Sequence, residues 1–272
     1  LHRLFHSVEL KKLFSFTCMK LIDTHTHLYV EEFKTDIDSV VQRAINEGVE
    51  EFYLPAIDSS ENDNLLALEK KIPGKMFAMA GLHPCSVKEN YKEETDQIQR
   101  QLSKRKFAAI GETGLDFYWD TSFKKQQYES LHLHAQWAIE YQRPLVLHTR
   151  NAMQETIDLV KEYKGKSLFG IFHCFSGSLQ HAKEIIDLGF LLGIGGVLTF
   201  KNSGLAEVIK EIDLKYLVLE TDSPYLAPVP FRGKRNESSY LKYIVQKLAE
   251  IKQITTEEVA SKTTNNAKNV FA

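Results

Sequence analysis

Residues 144–173 read PLVLHTRNAMQETIDLVKEYKGKSLFGIFH, with a short apolar run at each end. Between the runs, apolar side chains recur at helical spacing over 153–160, and Asn151 is the expected cap of that helix. The runs at 144–148 and 167–173 are continuous rather than alternating, which is typical of parallel strands covered on both faces. The segment is therefore predicted to form a strand–helix–strand unit.

The same pattern recurs along the chain. One helical pattern follows Thr35 and stops at Gly48, another follows Ser178 and stops at Gly189, and Thr255 is the expected cap of the last helix. Strands alternating with helices over about 250 residues predict an α/β fold, a single-domain (β/α)8 TIM barrel. The eight expected strands are 20–25, 51–57, 76–81, 107–112, 144–148, 167–173, 190–194 and 216–221.

A doubly wound sheet is the alternative architecture. Its dinucleotide-binding fingerprint, GxGxxG, requires a third glycine or alanine after the first pair. Gly193 and Gly195 follow a strand here, but position 198 is Leu, so the fingerprint is not met. The barrel is therefore the favoured fold.

Residues 1–18, LHRLFHSVELKKLFSFTC, differ in character from the rest of the chain. They are basic and apolar, and they precede Met19, after which the first strand pattern begins. They contain no unbroken apolar core followed by a small-residue cleavage site, which disfavours a signal peptide. We expect residues 1–18 to be an N-terminal extension, either not native, disordered or packed as a short helix, and residues 19–272 to be the barrel domain.

The composition excludes several classes of protein. Of the 272 residues, 43% are hydrophobic and 11% aromatic, which is enough to bury a core and excludes a disordered chain. The net charge of -2 gives no global attraction for a polyanion, so contact with nucleic acid must be local. Three widely spaced cysteines form no disulfide framework and favour a cytoplasmic location. No apolar stretch approaches the ~20 residues of a membrane span, and nothing implies an oligomer.

Polar residues follow several of the expected strands, at the end of a barrel where active sites lie. Because side chains alternate along a strand, His25 and His27 are expected on one face together with Asp23. Four imidazoles and two carboxylates buried at one end would leave polar groups unsatisfied without a metal ion. The candidate metal ligands are His25, His27, Glu112, His148, His173 and Asp222.

Six candidate ligands predict two ions rather than one. The pair of histidines after the first strand would bind one ion together with Asp222, and His148 with His173 would bind the other. Glu112 lies on a strand between these groups, and its two oxygens can bridge the ions. Two divalent ions about 3.5–4 Å apart stabilise the attacking and leaving oxygens of a hydrolysis. Mixed imidazole and carboxylate ligation leaves zinc, manganese and magnesium open.

Around these residues the sequence resembles the TatD-like metal-dependent deoxyribonucleases. The resemblance extends from Met19 to the end of the chain, and the motifs occur in order. It implies a TIM-barrel hydrolase that cleaves DNA phosphodiesters with divalent metals, and each of the six candidate ligands falls on a ligand position of that family. The motifs are DTHTHL at 23–28, GLHP at 81–84, GETGLD at 111–116, HTR at 148–150, HCFSG at 173–177, ETDSPY at 220–225 and RGKRN at 232–236.

Five further residues are candidates for substrate binding. His83 ends the third strand, where it could contact a phosphate, and Arg150 lies two residues after His148. Arg232, Lys234 and Arg235 form a basic loop after the eighth strand, where barrel enzymes often bind phosphate. Each candidate also has an interpretation without function: His83 could be a core residue, and Arg150 could form a surface salt bridge. The basic loop could be a solvated run of charges.

Other polar and aromatic residues carry weaker signals. The aromatic run at 117–119 could stack on an unpaired base or could simply pack. Cys174 is expected to face the helices as a small buried hydrophobe. His132 and His134 lie in a helical pattern and are assigned no chemistry.

Three functions are compatible with this sequence. The first is a deoxyribonuclease, an exonuclease for single-stranded or frayed DNA ends, with Asp222 as general base and Glu112 as the bridging ligand. The alternative is an amidohydrolase for a small amide or ester, although many of those with two metals use a modified lysine at the fourth strand, and 111–115 contains none. The third is a non-catalytic metal-stabilised binding protein, which would not need an open coordination position.

Overall fold

Residues 19–272 are described by a computed structural model, and the expectation for residues 1–18 lies outside the described part of the chain. Within 19–272, no helix combines the length and the apolar character needed to cross a lipid bilayer. The strands are β1 (Leu21–Asp23), β2 (Val49–Leu54), β3 (Met76–Ala78), β4 (Ile110–Asp116), β5 (Leu145–Arg150), β6 (Gly170–Phe172), β7 (Phe190–Ile194) and β8 (Leu217–Leu219).

Helices follow the strands on the outside of the sheet. Short 3-10 turns at Glu31–Phe33, Pro84–Ser86, Gly196–Thr199, Leu214–Tyr216 and Ser238–Tyr240 complete the connections. The helices are α1 (Ile37–Asn46), α2 (Asn62–Lys71), α3 (Tyr91–Leu102), α4 (Lys124–Glu140), α5 (Met153–Lys161), α6 (Leu179–Asp187), α7 (Leu205–Lys210), α8 (Leu241–Lys252) and α9 (Thr256–Phe271).

The strands are parallel and close into a barrel. Strands β1 to β3 pair in chain order, as do β4 to β8. A parallel bridge between Ala80 and Ile110 joins the first group to the second, and the Thr24 amide donates to the Leu219 carbonyl to join β1 to β8. Each predicted apolar run overlaps one observed strand, so the (β/α)8 barrel is confirmed.

Side chains of the strands alternate between two buried layers. Neighbours such as Leu145 and Leu147 pack outwards against the helices. The last turn of α9 packs against the inner layer, where the rings of Phe271 and Tyr53 stack with centroids 3.7 Å apart. This contact fills the N-terminal end of the barrel. The inner layer consists of Ile22, Tyr53, Met79, Ala109, Val146, Ile171 and Val218.

Of the two predicted helix caps, Thr255 is observed and Asn151 is not. The hydroxyl of Ser178 accepts from the His181 amide at the start of α6, and the hydroxyl of Thr255 accepts from the Glu258 amide at the start of α9. The prediction for Asn151 was wrong, because β5 runs as far as Arg150 and the residue before α5 is Ala152. Asn151 makes the tight turn between them with φ 51°, a conformation that asparagine tolerates.

Candidate metal centre

The six candidate ligands meet at the C-terminal mouth of the barrel, within β4 and β5 and directly after β1, β6 and β8. Glu112 lies at their centre, with its two oxygens facing different imidazoles. Oε2 lies 3.1 Å from His25 Nε2 and 3.6 Å from His27 Nε2. Oε1 lies 2.7 Å from His173 Nε2 and 2.9 Å from His148 Nδ1. One carboxylate therefore joins two groups of nitrogen donors.

Asp222 completes the group around Oε2 of Glu112. Its Oδ1 lies 3.7 Å from His25 Nε2 and 3.6 Å from His27 Nε2. Ligand atoms about 2.0–2.2 Å from a tetrahedral zinc ion lie roughly 3.4 Å from one another. The separations here match donors that share one small cation. The rings of His25 and His173 stack with centroids 3.8 Å apart, which places the second group directly beside the first.

The prediction that Asp23 shares a face with His25 and His27 was wrong. Strand β1 ends at Asp23, so the alternation does not extend to the histidines. The Asp23 carboxylate instead accepts from the amide and the hydroxyl of Thr221, at 2.9 and 2.6 Å, and burial raises its pKa to about 7. Asp23 therefore ties the end of β1 to the segment that carries Asp222.

Glu112 reaches the interior because the pairing of β4 with β5 is irregular. Ala109 lies in the inner layer, and the pairing register shifts between Ile110 and Thr113. The side chains that point inwards therefore belong to odd-numbered residues before the shift and to even-numbered residues, such as Glu112, after it. Gly114 permits the close approach of the two strands, since a Cβ there would lie 2.0 Å from the His148 carbonyl oxygen. Gly114 also has φ 149°, which side chains other than glycine rarely adopt.

Two of the candidate imidazoles are held from the side that faces away from Glu112. Asp116 Oδ2 lies 3.0 Å from His148 Nε2. The Tyr29 oxygen lies 3.1 Å from His27 Nδ1 while its hydroxyl donates to the Pro55 carbonyl. These acceptors assign the ring proton to the outer nitrogen of each histidine. The inner nitrogens are thereby left with lone pairs that face the centre.

A buried carboxylate, that of Glu220, lies behind His173. Glu220 is fully buried, its Oε1 lies 3.5 Å from His173 Nδ1, and the Cys174 amide donates to the same oxygen at 2.5 Å. Gly193 provides the space for it, because a Cβ there would lie 2.2 Å from Glu220 Oε2. His173 Nδ1 nevertheless has no hydrogen-bond partner among the described residues, so Glu220 does not set the tautomer of this ring.

The donor set fits divalent metal ions. The inner nitrogens of His148 and His173 face a carboxylate oxygen of Glu112 across 2.9 and 2.7 Å, contacts that require a positive charge between the atoms, from a ring proton or from a metal ion. His25 Nδ1 is buried and has no hydrogen-bond partner among the described residues, so this ring is held chiefly through Nε2. The first group would bind one ion through His25, His27 and Asp222, and the second group would bind another.

The charges of the centre agree with this arrangement. Burial lowers the pKa of His173 and raises that of Glu112, but the attraction between the two groups outweighs burial. It raises the pKa of His173 well above its usual value and holds the pKa of Glu112 well below its usual range. Burial likewise opposes the charge on Asp222, but the nearby imidazoles of His27, His173 and His25 outweigh it and lower the pKa of Asp222. Both carboxylates are therefore ionised at neutral pH, and a metal ion that binds beside them would displace the ring proton of His173.

Comparison with known proteins identifies the family. A family model described as TatD related DNase matches residues 22–272. The chain belongs to the TatD-related DNase family. The resemblance that the motifs indicate is thereby confirmed over the whole barrel.

The relatives of this TatD-family chain include hydrolases and one solved structure. It is 39% identical over 252 residues to YabD of Bacillus subtilis (strain 168), named an uncharacterized metal-dependent hydrolase, and the match covers 92% of this chain and 98% of YabD. It is 32% identical over 257 residues to YcfH of Escherichia coli (strain K12), also named an uncharacterized metal-dependent hydrolase. That match covers 93% of this chain and 96% of YcfH. The crystal structure of the Escherichia coli K12 TatD homologue YjjV has a TM-score of 0.88 at 30% identity, covering 93% and 98%. This TatD-family chain is a metal-dependent hydrolase.

His83 lies beside the TatD-family centre as a hydrogen-bond donor. Its Nδ1 accepts from the Cys85 amide at 3.0 Å, so the ring proton is on Nε2, 3.6 Å from Glu112 Oε1. Burial lowers the pKa of His83 to about 3, which keeps the ring neutral. His83 therefore presents an N–H group to the centre rather than a lone pair, and we do not count it among the ligands.

The basic candidates of this TatD-family chain have different surroundings. Arg235 forms a bidentate ion pair with Asp36, at 2.8 and 2.7 Å, so its guanidinium holds the fold together. Arg232 is exposed and lies 4.1 Å over the ring of Phe200, and Lys234 is exposed beside it. Of the three residues in the predicted basic loop, these two point to solvent and remain the candidates for a phosphate contact.

Sequence analysis of the TatD motifs missed Asp116 and Glu220 as carboxylate neighbours of the ligands. Strand alternation is the signal that could have found them, since Asp116 follows Glu112 by four residues and Glu220 precedes Asp222 by two. The expectation for Cys174 was also wrong. Strand β6 ends before it, its φ is 47°, and it is half-buried at the edge of the centre rather than among the helices.

Proposed function

We propose that this chain is a metal-dependent deoxyribonuclease that hydrolyses phosphodiester bonds at single-stranded or frayed DNA ends with two divalent ions. The observation that carries the proposal is the placement of Glu112, with one oxygen towards His25 and His27 and the other towards His148 and His173. A carboxylate in this position suits two ions that act on one phosphate. The family's description as a TatD related DNase supports the same reaction.

The reaction divides among residues of the centre. Bound here, two divalent ions would lower the pKa of a water molecule and neutralise charge on the phosphate. Asp222 accepts the proton of the attacking water, because its side chain is 12% exposed while that of Glu112 is 1% exposed, and its lowered pKa keeps it ionised. Glu112 holds the two groups of imidazoles at fixed positions relative to each other. His83 donates its Nε2–H to a phosphate oxygen.

The surroundings of the centre favour a DNA end over a closed duplex. The net charge is -2, so attraction for a phosphate chain has to come from local groups such as Arg150, Arg232 and Lys234. The centre lies in the concave mouth of the barrel, which an unpaired end enters more readily than a continuous double helix. Localised positive charge and a concave site together support an end-directed nuclease.

An amidohydrolase for a small amide or ester is the second candidate function. An uncharacterized amidohydrolase from Saccharomyces cerevisiae has a TM-score of 0.80 to this chain at 17% identity, which is a likeness of fold alone. Residues 111–115 read GETGL, so the fourth strand offers a carboxylate and no lysine at its end. The local chemistry therefore favours the nuclease.

The test is turnover on defined substrates after metal removal. Protein stripped with a chelator receives zinc, manganese or magnesium separately, and is incubated with a labelled single strand, a frayed duplex, a blunt duplex and a covalently closed circle. We expect cleavage of the single strand and the frayed duplex, with the circle intact. Glu112→Ala should be inactive, whereas Glu207→Ala, an exposed glutamate on α7, should match the wild type. Intact DNA with every metal, together with hydrolysis of a small amide or ester, would refute the nuclease.

A further inference from the structure

In the described part of the chain, the exposed large hydrophobic side chains are confined to two loops. Within 19–272, the large apolar residues that are exposed lie after β4 and after β8. Both loops leave the C-terminal ends of their strands, where the candidate ligands lie, and β4 and β8 are on opposite sides of an eight-stranded barrel. Apolar surface therefore flanks the centre on two sides. The residues are Tyr118, Trp119, Tyr225, Leu226 and Val229.

The loop after β4 presents an aromatic surface with a cation against it. Tyr118 is 52% exposed and Trp119 is 68% exposed, and their rings meet edge to face with centroids 4.8 Å apart. The guanidinium of Arg150 lies 3.9 Å from the Tyr118 ring centroid and 5.1 Å from that of Trp119. We call Tyr118, Trp119 and Arg150 the aromatic rim. Phe117 is not part of it, because that ring packs under Lys124 and beside Tyr128.

The aromatic rim is fixed to the centre through one carboxylate. Asp116 Oδ1 accepts from the amides of Tyr118 and Trp119 at 2.9 and 3.2 Å, and Asp116 Oδ2 accepts from His148 Nε2 at 3.0 Å. A ligand on the rim is therefore held at a set position relative to His148. On the opposite side, the Tyr225 ring lies 6.0 Å from the His27 ring.

We propose that the aromatic rim stacks an unpaired nucleobase of a single DNA strand whose neighbouring phosphate lies at the metal centre. The proposal rests on the proposed nuclease function and specifies how its substrate is recognised. Aromatic faces and an arginine bind bases of any sequence, and the guanidinium also suits the adjacent phosphate. Tyr225 would contact the base on the other side of that phosphate.

The aromatic rim would also select the form of the DNA. A base inside a duplex has both faces covered by its neighbours, whereas the last base of a frayed end has a face to offer. Stacking on a protein aromatic group contributes about 1–3 kcal/mol per base. Preference for unpaired ends would then come from the rim as well as from the concave shape of the mouth.

Tryptophan fluorescence tests the rim without catalysis. The chain has 2 tryptophans, and the other, Trp137, is only 5% exposed, so Trp137→Phe leaves Trp119 as the reporter. In chelator, a thymidine oligonucleotide should quench this fluorescence and protect it from acrylamide. An abasic oligonucleotide of equal length and charge should have neither effect. Equal responses to the two oligonucleotides, or no response to either, would overturn the proposal. Trp119→Phe in the otherwise native chain should lose the quenching, which checks the result if Trp137→Phe folds poorly.

Kinetics separate failure of the rim from failure of the nuclease. With metal added, the double variant Tyr118→Ala, Trp119→Ala should raise KM for the normal single strand by about 5- to 150-fold and leave cleavage of the abasic strand unchanged. Tyr216→Ala, at the opposite end of the barrel, is the matched aromatic control. If the wild type cleaves DNA and the double variant has an unchanged KM, the proposed role of the aromatic rim is refuted and the nuclease proposal stands. No DNA cleavage by the wild type, with Trp119 quenching intact, would refute the nuclease and keep the binding surface.

Discussion

Asp116 lies behind His148, with its Oδ2 3.0 Å from Nε2 and on the far side of the ring from Glu112. Burial of this carboxylate raises its pKa, but the hydrogen bonds from His148 and from the loop amides dominate and hold the pKa well below its usual value. Asp116 is therefore ionised and acts as a strong acceptor. Such a partner fixes the tautomer of a metal ligand and increases its basicity.

Asp116→Asn should weaken the second metal position. An amide accepts through one oxygen, so it cannot serve both His148 and the two loop amides, and loss of such a partner reduces metal affinity by about 10- to 100-fold. Calorimetric titration with zinc measures the change. Asp120→Asn, in the same loop and paired with Lys88 at 2.8 Å, is the matched control. Equal affinity in Asp116→Asn and wild type would show that the contact does not orient the ligand.

Glu112→Ala should lose more activity than His83→Ala. Glu112 faces both groups of imidazoles, so its removal should lower both the metal content and kcat, whereas His83 presents only a hydrogen-bond donor. We expect His83→Ala to keep the metal content of the wild type and to lose part of its kcat. Elemental analysis and steady-state cleavage of a single strand supply the two measurements. Equal losses of kcat with full metal content in both variants would reverse the ranking.

Binding of single-stranded DNA should depend weakly on salt. Each phosphate contact contributes about 0.7 to the slope of log affinity against log salt, so a few contacts predict a slope of roughly -1 to -3. Arg232→Ala with Lys234→Ala should make the slope shallower by about 1.4 and leave the metal content unchanged. Lys262→Ala, on the exposed face of α9, is the control. Efficient nicking of closed duplex DNA with a steep slope would point to a different basic surface.

His134 should destabilise the fold as the pH falls. Burial lowers its pKa from 6.5 to about 4, and its Nε2 accepts from the Leu82 amide at 3.0 Å. The unfolded chain takes up a proton near pH 6.5 and the folded chain only near pH 4, so stability is lost as pH falls through this window. The loss should reach about 3 kcal/mol.

Urea unfolding of the wild type and His134→Gln between pH 7 and pH 4 tests this expectation. Glutamine retains an acceptor for the Leu82 amide and does not titrate, so the variant should lose less stability on acidification. His132→Gln, half-buried on the same helix, should follow the wild type. If the free energy of unfolding falls equally with pH in the wild type and in His134→Gln, His134 does not remain neutral in the folded chain.

The sequence predicts the ligands best where the strands are regular. In β5 and β6, Val146 and Ile171 lie in the inner layer, and two residues later His148 and His173 face the centre. In β1 the strand ends too early for this rule, and in β4 a register shift reverses it. Neither event leaves a mark in the residue pattern, because both depend on how the strand pairs with its neighbour.

Contacts between distant segments are the part that the sequence could not supply. The ion pair of Arg235 with Asp36 joins residues far apart in the chain, so the spacing of the basic loop could not show which of its charges is already bound. Asp116 is different, because its position relative to Glu112 follows from alternation once β4 is known to extend to that residue. The fold was therefore predictable, the clustering of the candidate ligands largely so, and their supporting contacts only in part.

The stacking of Phe271 on Tyr53 determines how ions and substrate can reach and leave the centre. In residues 19–272 the last turn of α9 closes the N-terminal end of the barrel, so ions, water and the proposed DNA substrate would all enter and leave through the C-terminal mouth. A cleaved product would have to leave through the same mouth by which the next DNA end enters. While an oligonucleotide occupies the mouth, a chelator should strip the ions more slowly, and turnover should wait on departure rather than on bond cleavage.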